Sequence, residues 1–192
     1  QAGWEKQFMS ANYMYTEGKR LEAMSFRLLD IMVTRRGEVE FTMVSAESLF
    51  LYLYDMYVIN KSMKIYFNYD DGMVRAEANL IKSVLMNLLD NAFKASEADG
   101  LIEVYGHLMK DGYCFEVKDH GVGIPKEELH KITKAFYMGD KSRSRSRNGA
   151  GLGLALCAEI LELHKSRLNI RSELGKGTTM SFTLPLWKED QL

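Results

Sequence analysis

The chain has 192 residues, 46% of them hydrophobic and 27% charged, a globular composition with room for one core and an appendage. A formal net charge of -1 excludes the broad positive footprint of a nucleic-acid or polybasic membrane binder, so any anion site has to be local. The two cysteines, Cys114 and Cys157, stand far apart in apolar segments without a CxxC, which argues for core thiols in a reducing compartment rather than a disulfide framework or a zinc site. The longest nearly apolar run, LFLYLYDMYVI at 49–59, is too short to span a bilayer, and residues 1–20 carry no signal-peptide pattern.

Met14, Leu21 and Leu28 fall seven apart, with Met24 and Ile31 three residues further on in successive heptads. This seam predicts a proline-free helix from residue 1 to 36 that packs on another helix, the alternative being its own domain. Gly37 ends it. EVEFTMV (38–44) alternates like a strand with one buried face, and Ser45 can cap a helix over 46–60 in which Leu49, Leu53 and Met56 share a side. KIYFNYD (64–70) alternates again. NLIKSVLMNLLDNAFKAS (79–96) reads as an amphipathic helix: Leu80, Val84, Leu88 and Ala92 form its apolar stripe, and Asn87, Asn91 and Lys94 mark another.

LIEVYGHLM (101–109) and GYCFEVKD (112–119) flank Lys110 and Asp111 as a hairpin. A loop with short helical pieces follows to about residue 148, then a helix over 151–164, then two strands, RLNIRSE and TTMSFTLPL, around LGKG. Interspersed strands and helices with hairpins predict an α+β fold, a two-layer sandwich with a mixed sheet packed on helices, behind a long N-terminal helix.

Three glycines in GAGLGLALC (149–157) raise the question of a phosphate-binding turn. The dinucleotide fingerprint needs a strand just before it, and DKSRSRSRN is polar and basic; the spacing is GxGxG rather than GxGxxG. GKGTT (175–179) fails as a P-loop, because Lys176 is followed by glycine and the next element is a strand. What remains is a glycine turn opening a helix, whose free amides suit phosphate but which also caps ordinary helices. DHGVGIP (119–125) adds a strand-end acid and two close glycines, where a carboxylate could accept from an adenine amino group. In NLLDNAFKAS, Asn87 and Asn91 lie one turn apart with Lys94 three residues on, an oxygen-bearing face of the kind magnesium shares with phosphates.

In order, NLLDNAFK, DHGVGIP, AFYMGDKS, GAGLGLAL and GKGTT resemble the N, G1, F, G2 and G3 boxes of the sensor histidine kinase catalytic domain, an ATP-binding fold shared with gyrase, Hsp90 and MutL. The resemblance covers residues from about 38 to 186. It implies ATP as substrate and magnesium as cofactor, with Asn91 a magnesium ligand, Asn87 a neighbouring magnesium or phosphate contact and Lys94 a phosphate contact. It further implies that Asp119 reads the adenine amino group beside Gly121 and Gly123. Phe136 would be the aromatic of a lid from about 124 to 148, Gly149, Gly151, Leu152 and Gly153 would receive the phosphates, and Gly175, Gly177 and Thr178 would form the far wall. Gly175 and Gly177 can equally be a plain hairpin turn.

The chain departs from the pattern after the lid's aromatic pair, where Met138 replaces a basic residue. Lys141, Arg143, Arg145 and Arg147 are then candidates for the γ-phosphate, or a solvated loop. Hydrolases of the superfamily carry a glutamate where this chain has Asn87; an amide cannot take a proton from water, so the substitution favours phosphoryl transfer to histidine. None of the four histidines, His107, His120, His130 and His164, stands in an acceptor-like helix. The resemblance therefore implies a partial dimerisation helix over 1–36 and a catalytic and ATP-binding domain over 38–188. The acceptor histidine would lie outside the sequence, a response regulator would be the onward partner, and the N-terminal helix would support a homodimer. The expected setting is the cytoplasmic portion of a membrane-anchored kinase, without nucleic acid or direct membrane contact. An ATP hydrolase of the same fold and a non-enzymatic ATP-sensing scaffold are the alternatives.

Overall fold

The structure, a computed structural model, describes residues 39–58, 64–97, 99–134, 137 and 153–188. The heptad segment, Phe136, Met138, Lys141, Arg143, Arg145, Arg147, Gly149, Gly151 and Leu152 lie outside the described residues.

In chain order the elements are β1 (Thr42–Ser45), α1 (Ala46–Val58), β2 (Lys64–Tyr69), β3 (Met73–Ala76), α2 (Ala78–Ala95), β4 (Leu101–Met109), β5 (Gly112–Asp119), α3 (Gly153–Leu163), β6 (Asn169–Glu173) and β7 (Gly177–Leu184). Five strands form one mixed sheet in the order β2-β4-β5-β7-β6, with β2 parallel to β4 and the other pairs antiparallel. β1 and β3 pair separately as an antiparallel ribbon. The α+β sandwich expected from the sequence is therefore present, and the hairpin turns at Lys110 and Asp111, where Met109 faces Gly112.

The helices cover one face of the sheet, and alternation explains which side chains meet them. On β5, Tyr113, Phe115 and Val117 are buried while Cys114, Glu116 and Lys118 point to the outer face. On α2 the stripe of Leu80, Val84, Leu88 and Ala92 is buried, widened by Ile81, Leu85 and Leu89. Phe50 of α1 stacks on Tyr69 at 4.4 Å and on Phe115 at 5.7 Å, and Phe115 stacks on Phe182 at 5.1 Å, binding helix and strands into one core.

Three local expectations need correction. The buried stripe of α1 is Ala46, Leu49, Phe50, Leu53 and Tyr57, and Met56 falls beyond its edge at 44% exposure. Cys157 is a core thiol, whereas Cys114 sits half-buried on the outer face of β5. β3 has no counterpart in the sequence pattern: MVRA is too short for a periodic signal and is held by β1 and by the Val74–Leu186 bridge. No helix among the described residues is long and apolar enough to cross a membrane.

Candidate functional site

The last turn of α2, the end of β5 and the β6–β7 hairpin converge on one carboxylate. Asp119 closes β5, is only 6% exposed, and takes two backbone N–H groups on Oδ1, from Gly121 at 2.9 Å and Thr178 at 3.2 Å. Burial pushes its carboxyl above the usual range, and the two amide donors oppose that rise. No described residue bonds Oδ2, so this oxygen is left over as an acceptor.

The loop after Asp119 is pinned to the neighbouring elements by backbone contacts that glycine permits. Val122 N–H bonds the Ala95 carbonyl at 3.1 Å, and a Cβ on Gly121 would overlap that same carbonyl. Gly123 sits at φ 67° with its missing Cβ facing the Glu173 carbonyl, and Gly175 N–H returns to the Val122 carbonyl at 2.8 Å. The two glycines of the β6–β7 turn differ. Gly175, at φ 82°, has open space around it and serves the turn, whereas Gly177, at φ 109°, lies against the Asp119 carbonyl where no side chain fits.

Ser172 belongs to no sequence motif, yet it is central to the site. Its hydroxyl accepts from Ile124 N–H at 2.8 Å, donates to the Gly177 carbonyl at 2.9 Å and bonds the Thr178 hydroxyl at 2.9 Å. A hydroxyl has one hydrogen, so the Thr178 hydroxyl donates to Ser172 once that hydrogen goes to Gly177. Ser172 thereby ties the loop after Asp119 to the wall that carries Thr178.

Along α2, Asn87, Asn91 and Ala95 follow at four-residue steps, so the asparagine stripe runs toward the carbonyl that holds the loop. Asn87 Nδ2 donates to the Ser83 carbonyl at 2.8 Å, and its amide oxygen makes no hydrogen bond among the described residues. Asn91 Nδ2 is buried without a hydrogen-bond partner among the described residues. Lys94 is exposed in the last turn of the same helix, and Gly153 begins α3. Asp119, Gly121 and Thr178 thus gather in one place, joined through the Ala95 carbonyl to the last turn of the helix that carries Asn87, Asn91 and Lys94.

His120, beside the site in sequence, points elsewhere. Its Nε2 lies 2.7 Å from Glu103 Oε2 on the outer sheet face, and Lys118 Nζ lies 2.8 Å from the same oxygen. Lys118, the Tyr105 hydroxyl and His120 together hold the Glu103 carboxyl at about 2, against some opposition from its desolvation. His164, after α3, is buried: Nδ1 donates to the Ile160 carbonyl at 2.7 Å and Nε2 accepts from Glu77 N–H at 3.1 Å. Glu77 caps α2, so this neutral imidazole couples α3 to the start of the asparagine helix. Burial lowers its pKa.

A family model described as the histidine kinase-, DNA gyrase B-, and HSP90-like ATPase matches residues 76–188. Among curated relatives, the sensor histidine kinase WalK of Bacillus subtilis is 33% identical over 63% of this chain and 20% of its own length. Sporulation kinase C of the same organism is 35% identical over 67% of this chain and 28% of its own. The solved catalytic domain of the histidine kinase ThkA, in a nucleotide-free form, superposes with a TM-score of 0.66 at 27% identity, covering 77% of this chain and 97% of that domain. The chain thus spans less than a third of either curated relative.

Proposed function

Because the chain belongs to the histidine kinase-, DNA gyrase B- and HSP90-like ATPase family, we propose that it is the ATP-binding catalytic domain of a sensor histidine kinase, passing the γ-phosphoryl of ATP to a histidine. The observation that carries this reading is Asp119. A buried carboxylate with Oδ1 saturated by backbone donors and Oδ2 left over is matched to an amino group such as that of adenine. Gly121 and Gly177 permit the close backbone packing, against the Ala95 and Asp119 carbonyls, that holds the surrounding loop and wall around this carboxylate.

The donor set also fits magnesium. Two amide side chains at Asn87 and Asn91 share a helix face, the Asn87 nitrogen is already engaged by Ser83, and the Asn91 amide is short of partners, so oxygens are on offer for a hard cation. When bound, the ion would neutralise phosphate charge. Lys94 would add a positive charge to the phosphates, and Thr178 would line the base side of the pocket, fixed by Ser172. Gly149, Gly151, Leu152 and Gly153 would receive the phosphates, while Phe136 and Lys141 would belong to the lid.

Asn87 distinguishes transfer from hydrolysis. Its amide nitrogen is spent on Ser83 and its oxygen is not a base, so nothing at this position can activate water. Phosphoryl transfer to imidazole instead needs in-line positioning and charge stabilisation. None of the four histidines suits the acceptor role: His107 is on β4, His120 pairs with Glu103, His130 lies in a turn, and His164 is buried with both ring nitrogens engaged. The acceptor is then a histidine on a separate helical hairpin. Residues 1–36 would contribute a helix to that hairpin and to a homodimer, residues 38–188 would be the catalytic domain, and a response regulator would take the phosphoryl group onward on the cytoplasmic side.

The test is incubation of the chain with γ-labelled ATP, magnesium and an acceptor hairpin from a related kinase. Acid-labile label on the hairpin, and none on the chain itself, is expected. Steady phosphate release without transfer would turn the reading to a hydrolase, and ATP binding with neither activity would turn it to a scaffold.

A further inference from the structure

A second cleft lies at the opposite end of the sheet. Asp119 ends β5, whereas this cleft is bordered by Asp111, just before β5, and by Leu184 at the end of β7. The length of an eight-residue strand, roughly 25 Å, separates the two. Its volume is about 410 Å³, within the range of small-molecule pockets.

The remaining wall is the segment leaving α3. Ser166 N–H returns to the Leu161 carbonyl at 2.8 Å and Lys165 N–H to the Glu162 carbonyl at 2.9 Å, which ends the helix. Lys165 occupies the turn position at φ 55°, a conformation that glycine adopts freely and a side chain does not. This turn puts Lys165 and Arg167 on either side of Ser166, and all three line the cleft.

Two cations against one carboxylate, Asp111, leave the lining at +1. None of the three charges has an ion-pair partner among the described residues, and neither has the hydroxyl of Ser166, a residue only 9% exposed. Unpaired Arg and Lys beside a hydroxyl donor suit an oxyanion, because guanidinium offers parallel N–H donors and ammonium a compact charge. Exposed Pro185 adds an apolar wall, Leu184 beside it being wholly buried in the core, and the volume is several times what a bare inorganic anion fills.

We propose that this cleft binds a small organic anion, its carboxylate or phosphate head on Lys165, Arg167 and Ser166 and its nonpolar body against Pro185, at a site separate from that of ATP. The test follows backbone amide resonances of the whole chain at fixed ionic strength during titration with sodium phosphate, glycerol 3-phosphate or citrate. Saturable shifts are expected at Lys165, Ser166, Arg167 and Leu184, at a concentration at least fivefold lower for one organic probe than for inorganic phosphate. Whether glycerol 3-phosphate or citrate is that probe identifies the head group. The shifts should persist with excess ATP analogue and magnesium, and weaken tenfold or more in Lys165→Gln/Arg167→Gln, with Arg167→Gln alone showing a smaller loss. Both side chains are exposed, so the variants keep the fold. Absence of saturation with every probe, equal shifts in the variants, or shifts centred on Asp119 would overturn the proposal.

Discussion

Replacing Asp119 by asparagine is the sharpest perturbation of the proposed nucleotide site because it changes charge and donor pattern while keeping shape. The amide oxygen can stay in place of Oδ1 and retain both backbone donors, from Gly121 and Thr178. The amide nitrogen then replaces Oδ2, so a donor faces the adenine amino group, which is itself a donor. Losing a charge-assisted hydrogen bond in a buried site costs about 1–3 kcal/mol, or roughly 5- to 150-fold in affinity. The fold should not suffer, since burial already disfavours the charged carboxylate and a neutral amide avoids that cost. Calorimetric titration with a non-hydrolysable ATP analogue and magnesium, alongside a thermal melt, separates the two effects. Weaker binding at an unchanged or higher Tm, with less discrimination against the guanine analogue, is expected. Unchanged affinity in a folded variant would refute the assignment of Asp119 to the base.

Asn91→Ala should abolish the gain in ATP affinity that magnesium brings over EDTA while leaving the magnesium-free affinity within about twofold (roughly 0.4 kcal/mol); an intact magnesium response would remove Asn91 from the metal site. Gly121→Ala forces a methyl group onto the Ala95 carbonyl and should cost about 1–3 kcal/mol of stability, read from urea unfolding. His164 has a folded-state pKa below its ordinary 6.5, so the unfolded chain binds the extra proton first as pH falls. Its contribution to stability is therefore full above 6.5 and is lost progressively as pH drops through the lowered folded value. Denaturant midpoints between pH 8 and 5 should show this decline, and His164→Asn should flatten it.

Features that depend on neighbours in the chain are legible in the sequence itself. The β4–β5 hairpin follows from alternation on both sides of Lys110 and Asp111, and α2 follows from an apolar residue every fourth position, with Asn87 and Asn91 on its flank. The place of Asp119 at the end of β5, ahead of close glycines, is legible too, because it is a local pattern. Tertiary structure alone decides which turn glycine matters, since Gly175 and Gly177 are alike in sequence and only Gly177 meets the Asp119 carbonyl. It also decides that β2 runs parallel to β4, that MVRA becomes a strand, and that Ser172 joins Ile124, 48 residues away, to Thr178. The linkage of His164 to Glu77, 87 residues apart, is of the same kind. Periodicity reports which side of an element is buried, because that side is chosen by the hydrophobic effect acting on every residue of the element. A single hydrogen bond between distant loops satisfies two polar groups and no others, so it leaves no repeating mark in the chain, and only the folded positions of the backbone determine who the partners are.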